Sequence, residues 1–309
     1  LPTHPSEVWL GFTALVAGLL VLDLGVLNRR SHVLSMREAA TWSGCLVALA
    51  ILFGGFLWWR EGAQTGIEFY TGYLVELSLS VDNLFVFILI FQYFAVPQAL
   101  QPRVLKWGIL GAIVMRAIMI TLGSVLLNRF HWIIYLFGVI LIVTGVRMFR
   151  SGEDRLEPER NPLVRLARRF LPMTDQYAGQ AFLVRPAGGL MFTPLFLVLL
   201  VVEWSDLVFA IDSIPAIFAI TRDPFIVYSS NVFAILGLRA LFFVLAGAMT
   251  AFVYLKPGVA LILVFVGAKM TLAAWFHIPA LVSLAVIILT LAAAVGASMR
   301  KARSRRAGD

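Results

Sequence analysis

Six carboxylates lie inside apolar runs of this sequence: Asp23, Glu76, Asp82, Glu203, Asp206 and Asp212. A charged side chain at a bilayer centre costs at least about 2.5–3.5 kcal/mol, so acids placed there are paired, solvated or holding a ligand. Pairing partners exist in Arg116, Arg147, Arg239 and Lys269, which lie in similar runs. Six acids against four cations leave an excess of negative charge if all ionise, and a bound divalent cation or protonation of a buried carboxyl would relieve it. Further oxygens stand near these acids in Ser78, Ser80, Asn83, Ser205, Ser213 and Asn231. Glu203 and Asp206, at i and i+3, share one helical face. Glu76 and Asp82 are six apart and fall about 120° apart on a regular helix, so an unwound turn between them would be needed to aim both at one ion. The same holds for Asp206 and Asp212.

Oxygen donors suit manganese, magnesium and calcium, whereas zinc and copper(I) favour histidine and cysteine. The four histidines, His4, His32, His131 and His277, fall at the ends of apolar runs or in tails, and Cys45 is the single cysteine. One cysteine excludes an internal disulfide and a CxxC motif. Met115, Met119, Met148, Met249 and Met270 are scattered and read as helix packing. There is no Walker A sequence, GxSxG elbow or HExxH, so the expectation is a protein that is not an enzyme and carries no prosthetic group.

The elements that must position these acids follow from composition. Of 309 residues, 61% are hydrophobic and 14% charged, against roughly 45–50% and 25% in soluble domains. That balance describes an integral membrane protein. A helix needs about 20 mainly apolar residues to cross, and nine segments qualify: 8–27, 40–59, 67–95, 104–127, 132–149, 192–221, 225–249, 257–276 and 279–299. The first is expected to be retained and not cleaved as a signal peptide, because Arg29 and Arg30 follow it and no basic residues precede it. With the N-terminus outside, 18 of the 25 lysines and arginines face the cytoplasm, and only Arg60, Arg129 and Arg222 face outward. The excess of basic residues behind the net charge of +8 therefore sets orientation in the bilayer, with the C-terminus cytoplasmic. No basic run is interleaved with aromatics, so nucleic acid is not an expected partner. Lipid is, and Leu163, Leu166, Ala167 and Phe170 form an apolar stripe beside Arg165, Arg168 and Arg169 that would suit an anionic lipid surface or a solvated loop helix equally.

Spans three to five and six to eight repeat a pattern. Glu76-Leu77-Ser78-Leu79-Ser80-Val81-Asp82-Asn83 matches Asp206-Leu207-Val208-Phe209-Ala210-Ile211-Asp212-Ser213. Arg116 in GAIVMRAIM matches Arg239 in AILGLRALF, and LIVTGVRM, with Arg147, matches LVFVGAKM, with Lys269. Three spans is an odd number, so the two copies insert with opposite topology, as in many secondary transporters that bind their substrate at the midplane. The expected architecture is an all-α polytopic membrane protein of nine transmembrane helices containing two inverted three-helix repeats. Residues 1–309 form a single transmembrane domain, with repeat one over 67–149, a cytoplasmic loop over 150–190 and repeat two over 192–276. Spans three and six are long, and the sixth holds Pro194 and Pro215, which leaves room for a break or kink.

VELSLSVDNLFVF at 75–87, VEWSDLVFAIDSIPAIFAIT at 202–221, SNVFAILGLRALFF at 230–243 and VFVGAKM at 264–270 resemble the TerC family, especially its Alx-type bacterial members. The resemblance also takes in LVLDLGV around Asp23, PLVRLARRF in the long loop and HIP before the last span. It implies a multi-span inner-membrane protein that exports manganese. Acids of two signature helices would lie in the metal path, here Glu76, Asp82 and Asn83 in the first and Glu203, Asp206, Asp212 and Ser213 in the second. Trp204 and Ile211 stand where other apolar residues are expected, without disturbing the acidic frame. The reading is a proton-coupled exporter of manganese(II) working by alternating access. Asp23, Ser80, Arg116, Asn231, Arg239 and Lys269 support its ligands. Competing readings are a calcium or proton transporter of the same fold, or a non-transporting membrane assembly or metal-delivery partner whose acids hold helices together. An oxyanion substrate is disfavoured, since an acidic midplane repels anions.

Overall fold

A computed structural model of the chain describes residue 4 and residues 6–22, 36–130, 132–150, 171–185, 189–246, 254–272 and 278–306. Asp23 and most of the 163–171 stretch lie outside these residues, as do the side chains of Asp82 and Asp212. The described chain is mostly helical. The helices run α1 Ser6–Leu20, α2 Met36–Glu61, α3 Ala63–Tyr93, α4 Gln101–Arg129, α5 Ile133–Arg150, α6 Pro194–Phe218, α7 Pro224–Ala246, α8 Leu255–Thr271 and α9 Ala280–Arg306. A two-stranded antiparallel hairpin, β1 Leu183–Val184 and β2 Met191–Phe192, precedes α6. Five segments among the described residues are long and apolar enough to cross a membrane: Arg37–Glu61, Gln101–Leu127, Pro194–Phe218, Pro224–Leu245 and Leu281–Lys301.

Local chemistry explains where the helices start and stop. Gly62 alone separates α2 from α3 and sits at φ 101°, a backbone conformation that costs glycine little and other residues more. The two helices then fold back on each other. Gly54 faces the rings of Phe69 and Tyr70, Gly66 faces Trp58, and the Tyr70 hydroxyl donates to the Ile51 carbonyl at 2.6 Å. Prolines open α4 and α6, where the missing N–H would have no helical partner anyway.

Spans three and six are not interrupted: α3 and α6 are each continuous. The prolines permit this. Pro194 occupies the first turn of α6 and Pro215 falls within the last turn before Phe218, so neither breaks its middle.

Helix α7 is the central element, with Phe225, Ile226, Val227, Val232, Phe233, Ala234, Ile235 and Leu236 all buried. It packs against α2, α3 and α4, while α6 packs against α3 and α4. Phe12 of α1 meets Phe225 and Phe233 edge-on at 5.5 and 6.0 Å between ring centroids. His4 lies between Asp223 and Glu61, with its ring nitrogens 2.9 and 3.3 Å from their carboxylate oxygens, and so ties the segment before α1 to the end of α2 and the α6–α7 turn. On the other flank α5 crosses α8 at backbone contact. Gly138 faces the Gly267 carbonyl, and Gly145 faces the Ala260 carbonyl. Small residues allow such close approach between apolar helices, where packing and not water exclusion drives association.

Candidate functional site

The site forms where α3, α4, α6 and α7 meet. Arg116, on α4, is fully buried, and its guanidinium reaches three other helices. Its Nη2 donates to Oδ1 of Asp206 at 2.9 Å and its Nε to Oδ2 of the same carboxylate at 3.2 Å. Nη1 donates to Oε1 of Glu76 on α3 and, at 3.3 Å, to Oδ1 of Asn231 on α7. The fork on Asp206 is the bidentate arrangement that makes arginine–carboxylate pairs both strong and directional. Glu76, Asp206 and Asn231 are themselves buried. Two carboxylates thus share one guanidinium.

Helical spacing explains why these side chains converge. Glu76, Ser80 and Asn83 stand at i, i+4 and i+7 and so share one stripe of α3, and Asp206 and Ser213, seven apart, share one stripe of α6. Ser80, Asn83 and Ser213 are buried. Ser213 faces the Glu76 carboxylate without an ordinary hydrogen bond to it. Glu76 Oε2, Ser80 Oγ, Asn83 Nδ2, Ser213 Oγ and Asn231 Nδ2 are buried polar atoms without a hydrogen-bond partner among the described residues. Each such atom costs about 1–3 kcal/mol relative to a satisfied one. The five lie on the three helices around Arg116, so polar groups are concentrated at this junction.

The remaining expected site residues divide. Glu203 lines a small cavity with Asp206, Gly108, Ala112 and Val202, and its carboxylate lies against Gly111 of α4. Arg239 is buried in α7. Lys269 does not join the Arg116 junction: its Nζ bonds Ser283 Oγ of α9 at 2.9 Å. Asp23 and the side chains of Asp82 and Asp212 lie outside the described residues. Among the described residues no three His, Cys, Asp or Glu side chains are grouped to hold a metal. Glu76 and Asp206 are bridged by arginine. Gly111 was not among the expected site residues; the Gly108–Gly111–Ala112 spacing on α4 is the signal that points to it.

A family model described as "Integral membrane protein TerC family" matches residues 61–306. The chain belongs to the TerC family. Among the relatives of this TerC protein, "Uncharacterized membrane protein STKORF319" of Myxococcus xanthus is 51% identical over 311 residues, covering 99% of this chain and 98% of the relative. "Putative membrane-bound redox modulator Alx" of Escherichia coli (strain K12) is 51% identical over 289 residues, covering 91% and 90%. An uncharacterized membrane protein of Rickettsia felis is 45% identical over 291 residues, covering 94% and 97%. No solved structure matches.

Proposed function

We propose that this TerC protein is a secondary transporter, not an enzyme, that exports manganese(II) across the bacterial inner membrane. It works by proton-coupled alternating access of two inverted three-helix repeats within a nine-helix transmembrane domain, with the N-terminus outside and the C-terminus cytoplasmic. The observation that carries this reading is the Arg116 bridge. It joins Glu76 and Asp206, the two acids that occupy matching positions in the repeats, at a buried junction of four helices. The guanidinium offsets part of the charge of two acids that are costly to keep ionised in the membrane. An arriving divalent cation competes with it, drawing on the Glu76 and Asp206 carboxylates, Asn83 and Ser213 as oxygen donors, while Asp82 and Asp212, about 120° around the same continuous helices, serve a neighbouring stage of its path.

Reciprocal contacts support the inverted repeat. Aligning LIVTGVRM with LVFVGAKM matches Gly145 to Gly267 and Gly138 to Ala260, and the contacts are Gly145 with Ala260 and Gly138 with Gly267. That exchange is what a two-fold relation between α5 and α8 produces. Thiol exchange within the chain, one sense of the redox name carried by the Escherichia coli relative, is not favoured here, since Cys45 has no second cysteine to pair with.

Full-length protein in proteoliposomes should move manganese, and Asp82→Asn and Asp212→Asn should each abolish that flux at normal protein level. Retained flux in both would sink the assignment, and calcium outcompeting manganese would reassign the cargo. One observation favours a second reading, of a non-transporting assembly partner: Arg116 is paired so fully that its acids could act purely as helix ties. That reading expects the same substitutions to lower folded protein or co-purified partners with no metal phenotype.

A further inference from the structure

Matching the two repeats residue by residue leaves one acid of the junction without a twin. Glu76 pairs with Asp206, and three residues earlier Tyr73 pairs with Glu203. Tyr73 is buried and stacks on Phe69, with ring centroids 6.3 Å apart. The surroundings differ in the same way. Matching Arg116 to Arg239 sets Gly111 against Ala234 and Gly108 against Asn231, so the glycine cradle also exists in one copy only. A Cβ at Gly111 would overlap the Glu203 carboxylate, and one at Gly108 would press on Val202 at 3.3 Å. Glu203 is half-buried and forms no hydrogen bond or ion pair among the described residues, whereas Asp206, one turn further along α6, is buried and held by Arg116. Three residues of helix place Glu203 about 4.5 Å nearer the membrane face at which α6 begins.

We propose that Glu203, seated on Gly111, is a one-sided loading ligand: it takes a divalent cation from the face at which α6 begins and passes it to Asp206 and Glu76, with no counterpart on the opposite face. The proposal rests on the transport reading, in which that face is cytoplasmic. A cation first meets the unpaired carboxylate, then attracts Asp206 from one turn away and weakens the hold of Arg116 on it. On the other face Tyr73 offers no carboxylate, so the asymmetry biases capture toward the side from which an exporter must load. Gly111 acts through Glu203 as a positioning residue.

The test uses full-length protein in proteoliposomes, with manganese as the probe and half-saturation measured separately from each face. Glu203→Gln should raise the half-saturating concentration about tenfold or more at the face where α6 begins and by less than about twofold at the other. Gly111→Ala with Glu203 intact should produce the same one-sided shift, and combining the two should be no worse than Glu203→Gln alone. Glu203→Asp should recover part of the loss. Equal shifts at both faces, or none, overturn the proposal while leaving the transport reading standing. A wild-type protein that moves no manganese from either face overturns both. Should Gly111→Ala fail to fold, the Glu203 variants decide the matter, because a purely structural role would lower flux without a one-sided change in half-saturation.

Discussion

Arg116 and Asp206 face each other through two parallel hydrogen bonds, at 2.9 and 3.2 Å, inside the junction of α4 with α6. Both side chains are buried, so the pair cannot be exchanged for water contacts without moving a helix.

Removing the guanidinium alone should therefore be costly. Arg116→Gln leaves Glu76 and Asp206 buried without their cation and should destabilise the protein by about 3–5 kcal/mol. Thermal unfolding in nanodiscs would read this as a large fall in midpoint. Arg116→Lys should recover little, because an ammonium cannot reproduce the fork on Asp206 and also reach Glu76 and Asn231.

Neutralising the whole triad should separate stability from transport. Arg116→Met combined with Glu76→Gln and Asp206→Asn removes both signs of charge together and should restore much of the stability lost in Arg116→Gln. Manganese flux should stay absent. A triple variant that regains flux would show that the acids serve only to hold helices.

How much of this junction could be read from the chain is clear from its members. The repeat singled out Glu76, Asp206, Arg116 and Arg239 because polar residues stand out in apolar runs. Asn231 was visible for the same reason. Spacing divides the α3 residues: Glu76 and Asp82 fall on different faces, whereas Glu76, Ser80 and Asn83 form one stripe, so no unwound turn is needed to build the α3 side. Contacts between helices far apart in sequence were not legible. Lys269 matches Arg147 in the repeat, yet its partner is Ser283 of α9, an element outside both repeats. Gly111 carries no polar signal; only the small-residue spacing of Gly108, Gly111 and Ala112 marks it in the sequence, and the Glu203 carboxylate lying against it appears only in the structure.

Lys269 accordingly provides a control. Lys269→Gln should leave manganese half-saturation within about twofold of wild type, since its Nζ bonds Ser283 and not the acids at Arg116. Its effect should fall on the packing of α8 with α9, read as a modest loss of thermal stability. A large change in half-saturation would place Lys269 in the cation path.

The α5–α8 crossing should tolerate no added carbon. A Cβ at Gly267 would come within 2.7 Å of the Gly138 carbonyl and 2.9 Å of the Ile142 nitrogen, and one at Gly145 within 2.7 Å of the Ala260 carbonyl. Gly267→Ala and Gly145→Ala should each cost about 1–3 kcal/mol through overpacking. Gly237→Ala, whose Cβ would meet only Leu241 Cδ1 at 3.8 Å, should be neutral or stabilising. Thermal midpoints of the three variants make the comparison.

The central claim is that Glu76 and Asp206 exchange Arg116 for a transported cation. Its most direct test is manganese flux into proteoliposomes under an imposed proton gradient, comparing wild type with Glu76→Gln and Asp206→Asn at matched amounts of folded protein. Flux in the wild type and at least about a tenfold loss in each variant is the expected result. Wild-type flux that persists undiminished in both variants would contradict the claim.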